Sequence, residues 1–193
     1  MKKSLGARTA AYPTPVFIVS TYDPQGRPNA MAVAWGGICC SDPPCVSVAV
    51  RKATYTYGNL MERKAFTVSI PSTDHVEAAD YLGIASGRDV DKFAEAGLTA
   101  TRSDLVDAPY VEEFPVVLEC KVVSVAELGL HTQFVGQILD VKVEEGCLNA
   151  DGKPTVELLR PFSWAPIENQ YYALGRVLGR GFSMGKSLQT ENA

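Results

Sequence analysis

The sequence predicts a mostly β fold of the α+β class, with short helices inserted between strands. The run 44–51 alternates valine with small residues, which is typical of a half-buried strand. Residues 114–128 and 134–143 are long runs rich in β-branched side chains, whereas 74–97 has helical spacing and several alanines. About six strands of this length, joined by short turns, favour a closed or partly closed antiparallel barrel over a doubly wound sheet.

The order of the elements follows from local turn and capping signals. Asp23-Pro24-Gln25-Gly26 is a turn sequence between two β-rich runs and predicts a hairpin. An aspartate as helix N-cap and a break around Ser86-Gly87 predict two short helices within 74–97. In chain order we predict strands at 15–22, 28–38 and 44–51, a helix at 54–63 and a strand at 65–70. The two short helices and then the two long strands follow. A polar bend containing His131 joins the two long strands, and a turn at 149–154 comes after them.

Composition predicts one ordinary globular domain spanning 1–193. The chain has 46% hydrophobic and 21% charged residues, and 18 basic against 22 acidic side chains give a net charge of −4. This balance argues against nucleic acid as a partner. No apolar run is long enough for a signal peptide core or a membrane helix, so we expect no membrane partner. Five cysteines, an odd number without a CxxC pair, predict reduced thiols and a cytoplasmic protein.

Small residues dominate the stretch 29–37, Asn-Ala-Met-Ala-Val-Ala-Trp-Gly-Gly. Small side chains let a large planar ligand approach the backbone, whose N–H and C=O groups can read polar ring edges. The alternative is tight packing inside a barrel, and the residues alone do not separate the two interpretations. Trp35 fits either, as a stacking partner or as a core residue.

A candidate phosphate site lies at 51–56, Arg-Lys-Ala-Thr-Tyr-Thr, where a strand meets a helix. Cations, hydroxyls and free N–H groups at a helix N-terminus together suit a phosphate. The alternative is a solvated turn in which Thr54 is an ordinary cap. Lys92 on the later helix is a further candidate cation, although an exposed helical lysine commonly has no such role.

Other motifs carry less chemistry. The tail 179–187 resembles a phosphate-binding P-loop, but Arg180 stands where the first glycine is needed and no strand or following helix is predicted. His131 is one of two histidines, and the cysteines lack metal-ligand spacing, so we predict no metal site. Cys39, Cys40 and Cys45 are interpreted as buried thiols beside the small-residue strand. No hydrolytic triad or close carboxylate pair stands out.

Taken in order, these segments resemble the flavin reductase-like family from about Ser4 to Gly179. The resemblance rests on order and spacing, since each piece is weak alone. Its carriers are Pro13-Thr14-Pro15-Val16, Pro28-Asn29-Ala30-Met31 with Trp35, Pro43-Pro44-Cys45-Val46, Arg51 with Thr54-Tyr55, Ser86-Gly87 with Asp91-Lys92-Phe93, His131 with Gly136, and Tyr171-Tyr172-Ala173-Leu174-Gly175.

The resemblance implies a homodimer of six-stranded antiparallel split β-barrels of Greek-key type that binds FMN. It places the flavin ring on the strand Asn29, Ala30, Met31, Ala32, Val33, Ala34 and Trp35, largely through backbone. It places the phosphate at Arg51, Thr54, Tyr55 and Lys92, with Lys52, Thr56 and Ser86 as further candidates. His131 corresponds to a histidine near the flavin face where a nicotinamide could stack. Many relatives have Thr or Ser where this chain has Ala32, so a ring-directed hydroxyl is missing here.

Three functions remain open at this level. An electron carrier would keep its FMN and exchange electrons with a partner protein. An NAD(P)H-dependent flavin or ferric reductase would use NAD(P)H as electron donor. A non-redox flavin-binding module would hold FMN without electron exchange. No catalytic side chain is required in any of them, because the flavin carries the chemistry.

Overall fold

The computed structural model describes residues 1–188, so residues 189–193 of the predicted domain lie outside the described part. The strands are β1 (Thr14–Pro15), β2 (Phe17–Tyr22), β3 (Pro28–Val33), β4 (Gly36–Ser41), β5 (Pro44–Arg51), β6 (Ala65–Ile70), β7 (Ala100–Arg102), β8 (Pro109–Val111), β9 (Val116–Leu128), β10 (His131–Val143), β11 (Phe162–Ala165) and β12 (Gln170–Ala173). The α-helices are α1 (Tyr55–Arg63), α2 (Val76–Ile84), α3 (Lys92–Ala96) and α4 (Val156–Leu159), with 3-10 turns at Thr73–His75, Glu145–Cys147 and Met184–Leu188.

Seven strands form one antiparallel sheet in the order β3-β2-β6-β9-β10-β5-β4. Two smaller sheets accompany it, one of β1, β11 and β12 and one of β7 and β8. The large sheet ends at β3 and β4, which are not paired with each other, so the barrel is open on one side. The predicted mostly β, split-barrel fold class is therefore confirmed.

The sheet has one strand more than predicted because the run 28–38 does not form a single strand. It breaks at Ala34 and Trp35 into β3, which pairs with β2, and β4, which pairs with β5. At Gly36, the first residue of β4, a Cβ would lie 2.8 Å from the carbonyl oxygen of Ser47. The change of partner strand therefore requires a residue without a side chain at this position.

Two clusters of buried side chains form the core. One fills the barrel around Phe66 and Phe134, where a side chain at Gly136 would collide with the Phe66 ring. The other lies around Ile18, Leu82 and Phe93, and it attaches α2 and α3 to β3. This second cluster matters for the site, because it fixes the two inserted helices beside the small-residue strand.

Local predictions agree closely with the observed elements in this part of the chain. The hairpin forms between β2 and β3, and Asp23 closes its turn by accepting the N–H groups of Gln25 and Arg27 at 2.9 Å each. Thr54 is the N-cap of α1, and Asp91 is the N-cap of α3. The two predicted inserted helices are α2 and α3. His131 lies at the first position of β10 rather than in the bend, because the turn is made by Gly129 and Leu130.

The interpretation of the three neighbouring cysteines as buried is wrong for two of them. Cys39 and Cys40 are exposed, whereas Cys45 is buried. The reason is that the outer half of β4, from Ile38 to Ser41, is an edge-strand segment exposed on both of its faces. Burial raises the pKa of the Cys45 thiol, as it does for Cys120.

Two absences concern the described residues alone. Within 1–188, no helix has the length and apolar character needed to cross a membrane. In the same range, no group of three or more histidine, cysteine, aspartate or glutamate side chains is arranged to hold a metal ion.

Candidate functional site

A groove runs along β3 where the small-residue strand meets β5 and the start of α1. Its cavity measures about 430 Å³, and we call it the strand groove. Its wall contains eight of the residues that the sequence analysis singles out, together with four others. The lining residues are Met31, Ala32, Val33, Ala34, Trp35, Ala49, Val50, Arg51, Thr54, Gly83, His131 and Trp164.

Small side chains on β3 are matched by a close helix approach. A Cβ at Gly83 of α2 would lie 3.3 Å from the Cβ of Ala32, so this part of α2 tolerates little bulk on either side. Ala30 and Val33 are buried, and Ala30 belongs to the core cluster under α2 and α3. Ala30 is therefore not among the residues that line the groove, and its carbonyl accepts a hydrogen bond from Lys92 Nζ.

Two tryptophans form the apolar end of the strand groove. The rings of Trp35 and Trp164 are 6.1 Å apart between centroids and meet edge to face at 68°. Both residues are half-buried. Trp164 was missed by the sequence interpretation, because its place beside Trp35 depends on the pairing of the distant strands β1 and β11.

His131 and Arg51 lie opposite each other in the β10–β5 register and both line the strand groove. Lys52, the next residue, turns away. Its Nζ lies 2.7 Å from Glu127 Oε1, and it lines neither the strand groove nor the cavity beside it. Its predicted role in phosphate binding stays a prediction.

A second cavity of about 180 Å³ adjoins the strand groove at the N-terminus of α1. It shares Met31, Thr54 and Gly83 with the strand groove, so the two form one continuous depression. Its wall includes the charged side chains of Arg88 and Lys92, and we call it the cationic corner. The polar residues of the corner are Thr54, Tyr55, Thr56, Ser86, Arg88 and Lys92.

The start of α1 supplies backbone donors to the cationic corner. Thr54 Oγ1 caps the helix by accepting the N–H of Tyr57 at 3.3 Å. The first-turn N–H groups of Tyr55 and Thr56 have no carbonyl one turn earlier within the helix. They therefore add the positive end of the helix dipole to a region that already holds two cations.

Arg88 is a cation that the sequence interpretation missed. Its guanidinium lies 5.5 Å from the centroid of the Tyr55 ring, and its Nη1 donates to the Ala53 carbonyl at 2.9 Å. These contacts hold the side chain beside the cationic corner although the residue is exposed. The available signal was its position two residues after Ser86, in the predicted break between helices.

Tyr55 is in turn held in place by the buried carboxylate of Asp23. Its hydroxyl donates to Asp23 Oδ2 at 2.8 Å, and Arg27 Nε donates to the same oxygen at 2.7 Å. Burial alone would raise the pKa of Asp23, but the hydrogen bonds from Arg27, Tyr55 and Gln25 outweigh it and hold that pKa below its ordinary value. Asp23 is thus an ionised anchor for the aromatic ring on which Arg88 rests.

Lys92 is buried rather than exposed, unlike an ordinary helical lysine. Its Nζ donates to the carbonyls of Ala30 at 2.9 Å and Leu82 at 2.8 Å. Burial lowers the pKa of Lys92 to about 8. The side chain therefore ties β3 to α2 at the same time as it lines the cationic corner.

Asn29 occupies the start of the depression, in a neighbouring cavity of about 290 Å³ that also contains Arg27, Arg88 and Lys92. Its Nδ2 donates to Thr56 Oγ1 at 2.9 Å, whereas its buried Oδ1 has no hydrogen-bond partner among the described residues. A side chain at Gly87 would collide with that oxygen. An unpaired buried acceptor beside this cavity is a position for a ligand donor or a water molecule.

The arrangement can hold a long ligand with a planar part and an anionic end. The strand groove offers backbone edges and aromatic walls, and the cationic corner offers two cations and helix N–H groups. Comparison with known proteins agrees with this chemistry. Residues 9–159 match the family model described as the flavin reductase like domain.

Solved structures extend the match over nearly the whole chain. The flavoredoxin of Desulfovibrio vulgaris (Miyazaki F) is 56% identical, with 96% of this chain and all of that chain covered and a TM-score of 0.92. A flavoredoxin from Methanosarcina acetivorans is 31% identical, with 97% and 98% covered and a TM-score of 0.88. A flavin reductase from Pseudomonas putida is 27% identical over 69% of this chain and 75% of its own length. This chain belongs to the flavin reductase-like family.

Proposed function

We propose that this protein binds FMN along β3 and passes electrons through it as a flavoredoxin-like carrier. The observation that carries the proposal is the continuity of the strand groove with the cationic corner. A flavin mononucleotide has a planar ring at one end and a phosphate at the other, and the depression offers matching chemistry at its two ends. The similarity to two flavoredoxins supports the same assignment.

The residues present fit the phosphate end. A phosphate carries nearly two negative charges at neutral pH and offers several acceptor oxygens. Arg88 and Lys92 in the cationic corner, with Arg51 in the wall of the strand groove, supply charge. The hydroxyl group of Ser86 and the helix N–H groups supply further donors, whereas the Thr54 hydroxyl already donates to the Arg51 carbonyl at 2.8 Å.

The residues also fit the ring end. The small side chains of Ala32 and Ala34 leave the β3 backbone accessible, and Trp35 and Trp164 offer aromatic surface. FMN supplies electron acceptance and release at its ring when bound. Backbone N–H groups of β3 would stabilise negative charge on the reduced ring, and Ala32 adds no hydroxyl to that task.

A homodimer is part of the proposal, and the hairpin of β9 and β10 supports it. Val123, Val125, Leu128 and Leu130 are exposed at its far end. An apolar surface of this kind on a single chain is typical of a protein–protein interface. Sedimentation of the reduced protein should give twice the mass of the chain, and a monomer at micromolar concentration would contradict this part.

The test of the proposal is reconstitution with FMN under anaerobic conditions. We expect a yellow protein with a flavin absorption band, which loses and regains that band when a chemical reductant and then an oxidised partner protein are added. A colourless protein that takes up no FMN would reject the assignment. A bound flavin that cannot be reduced would leave the third, non-redox function instead.

A second candidate is an NAD(P)H-dependent flavin or ferric reductase, and the position of His131 favours it. The imidazole lies in the wall of the strand groove, opposite Arg51, where a nicotinamide could stack on the ring. Anaerobic titration with NADH and NADPH separates the candidates. Rapid bleaching of the flavin band would support the reductase, and a band that persists would support the carrier. The cytoplasmic location stays a prediction from the cysteine pattern.

A further inference from the structure

Three of the five cysteines lie together on the hairpin of β4 and β5. They are Cys39, Cys40 and Cys45, and we call them the thiol cluster. Within residues 1–188, none of them is among the residues that line the strand groove, the cationic corner or the cavity around Asn29. Free cysteine is among the most buried residue types, so two exposed thiols beside a buried one favour a chemical role over simple packing.

The strand register places Cys40 directly opposite Cys45 within the thiol cluster. The pairing shifts by one residue between Ile38 and Cys40, so Cys39 is an extra residue of β4, as in a β-bulge. Directly opposed residues of an antiparallel pair project to the same face of the sheet, with Cα atoms about 4.5 to 5.5 Å apart. A disulfide requires about 4.4 to 6.8 Å between Cα atoms, so opposed cysteines meet that requirement.

The two thiols of this pair differ in access and in acidity. Cys40 is exposed, and its Sγ makes a weak contact with the carbonyl oxygen of Asp42 at 3.4 Å. Cys45 is 5% exposed, and burial raises its pKa, with Cys40 and Cys39 adding to the effect. Because the thiolate is the attacking form, an external disulfide meets Cys40 first, and Cys45 is placed to act on a neighbouring sulfur.

The other two cysteines are placed differently. Cys120 is buried, its register partners are Phe66 and Ile138, and burial raises its pKa to about 12. The Cys147 thiol donates to the carbonyl oxygen of Leu158 at 3.5 Å. Neither has a cysteine opposite it in a strand pair, so both serve as internal controls.

We propose that Cys40 and Cys45 form a thiol–disulfide exchange site for low-molecular-weight disulfides. The Cys40 thiolate attacks one sulfur of the external disulfide, which forms a mixed disulfide and releases one thiol. The Cys45 thiol then loses its proton to solvent and attacks the Cys40 sulfur, which forms the Cys40–Cys45 disulfide and releases the second thiol. The protein loses two electrons and two protons in total, and the external disulfide gains them. Cys39 stays a free thiol.

The exchange site goes beyond the proposed function, because it needs no flavin. In a reducing compartment such a disulfide is transient, and excess thiol returns the pair to its reduced form. The exchange gives the chain a second two-electron couple. It lies on the hairpin that begins just after Trp35 and ends at Arg51, two residues of the strand groove.

The test uses one equivalent of bis(2-hydroxyethyl) disulfide, a small uncharged probe, on the full chain in its FMN-loaded and FMN-free forms. Remaining thiols are blocked with N-ethylmaleimide in denaturant. Disulfides are then reduced, and the released thiols are labelled with iodoacetamide and located by mass spectrometry. We expect the iodoacetamide label on Cys40 and Cys45, a loss of two of the five free thiols per chain and no retained adduct, equally in both forms.

Single variants separate the two steps. In Cys45→Ala the second sulfur is missing, so the reaction should stop at the mixed disulfide, and one adduct per chain should accumulate on Cys40. In Cys40→Ala the attacking sulfur is missing, and disulfide formation within the chain should slow by at least about tenfold. Cys39→Ala and Cys147→Ala are the matched controls, since each removes one thiol but keeps the pair, and both should form the disulfide at the wild-type rate.

Each outcome decides the inference. Label on Cys40 and Cys45 within one chain of the wild type supports the exchange site without any variant. Thiols that stay free, a lasting adduct on Cys40 of the wild type, or a disulfide that involves Cys39 or a second chain would overturn it. Disulfide formation at the wild-type rate in Cys40→Ala would also overturn it. FMN binding is measured separately by the flavin band, so these results leave the proposed function untouched.

Discussion

The strand groove and the cationic corner use the chain in different ways. Along β3 the surface is made of backbone and of side chains as small as Ala32 and Ala34, so little of it depends on side-chain identity. In the cationic corner the surface includes long charged side chains that are held by specific contacts. Arg88 rests on Tyr55, and Tyr55 is tied to Asp23. The first region should tolerate small substitutions, and the second should fail at single positions.

Removing both arginines should distinguish the two regions most strongly, because it should affect the affinity for FMN far more than the affinity for riboflavin. Arg51→Ala combined with Arg88→Ala should weaken FMN binding by about 100-fold, since two charge-assisted contacts to the phosphate are lost. Riboflavin, which has no phosphate, should lose less than about threefold. Fluorescence titration of both ligands measures the effect. Lys121→Ala, an exposed cation on β9, is the control, and equal losses for FMN and riboflavin would place the phosphate elsewhere.

Lys92 joins the two regions, and its titration should show this. Because burial lowers its pKa to about 8, the free protein loses this charge above pH 8, whereas a bound phosphate would favour keeping the proton. FMN affinity should therefore fall by up to about tenfold per pH unit above 8, while riboflavin affinity stays nearly constant. In Lys92→Met the affinities for FMN and riboflavin should no longer differ in their pH dependence. A pH-independent FMN-to-riboflavin ratio in the wild type would contradict contact with the phosphate.

The low pKa of Lys92 should also affect how the stability of the apoprotein depends on pH, and in the opposite direction to FMN affinity. The lysine of the unfolded chain titrates near its ordinary pKa of 10.5, so between about pH 8 and that value the unfolded chain binds more protons than the folded one. The free energy of unfolding of the apoprotein should thus rise with pH across this window, even as FMN affinity falls. Urea unfolding at several pH values measures it.

Replacing Asp23, the carboxylate that accepts the Tyr55 hydroxyl, should have a smaller effect on FMN binding than removing the arginines. Asp23→Asn keeps the shape but removes the charge that Arg27 and Tyr55 contact, and should lower the free energy of unfolding by about 1–3 kcal/mol. FMN affinity should fall only a few-fold, since the ring of Tyr55 remains. Because the pKa of Asp23 is lowered in the fold, its contribution is present above the unfolded pKa of about 4 and is lost in stronger acid. Denaturation profiles that differ above pH 5 and approach each other as the pH falls below about 4 would agree with this.

The smallest effect is expected on β3. Ala32→Ser adds a hydroxyl to the ring strand, and it should change FMN affinity by less than about threefold while shifting the reduction potential through a new hydrogen bond. Ala32→Val should be worse, because α2 approaches residue 32 so closely that a Cβ at Gly83 would lie 3.3 Å from the Cβ of Ala32, and the added methyl groups of valine would crowd this contact. Equal behaviour of the two variants would mean that α2 moves freely relative to β3.

Local sequence signals and contacts between distant parts of the chain also differ in what could be predicted from the sequence. The alternation in 44–51, the turn at Asp23 and the caps at Thr54 and Asp91 are local signals, and the corresponding elements form where expected. The family resemblance carried the assignment of the ring strand and of the phosphate residues. Met31 to Trp35 line the strand groove, Asn29 lies in the neighbouring cavity and Ala30 lines neither, and their contact with a flavin stays a prediction. Local pattern and motif order therefore account for most of β3 and α1.

What could not be predicted depends on distant parts of the chain. Lys92 is buried only because α3 packs under β3, and Trp164 reaches Trp35 only because β1 pairs with β11. The position of Arg88 follows from the loop between two inserted helices and not from any motif. The break between β3 and β4 likewise reflects a change of partner strand, which a periodic pattern does not record.

The two thiols on β4 have a practical consequence for any measurement of oligomeric state. Cys39 and Cys40 sit side by side on an open sheet edge, accessible to the same residues of another molecule. Air oxidation would therefore join molecules covalently through this edge and give particles of doubled mass that owe nothing to the β9–β10 hairpin. Samples kept in reductant, or carrying serine at both positions, report the non-covalent association alone.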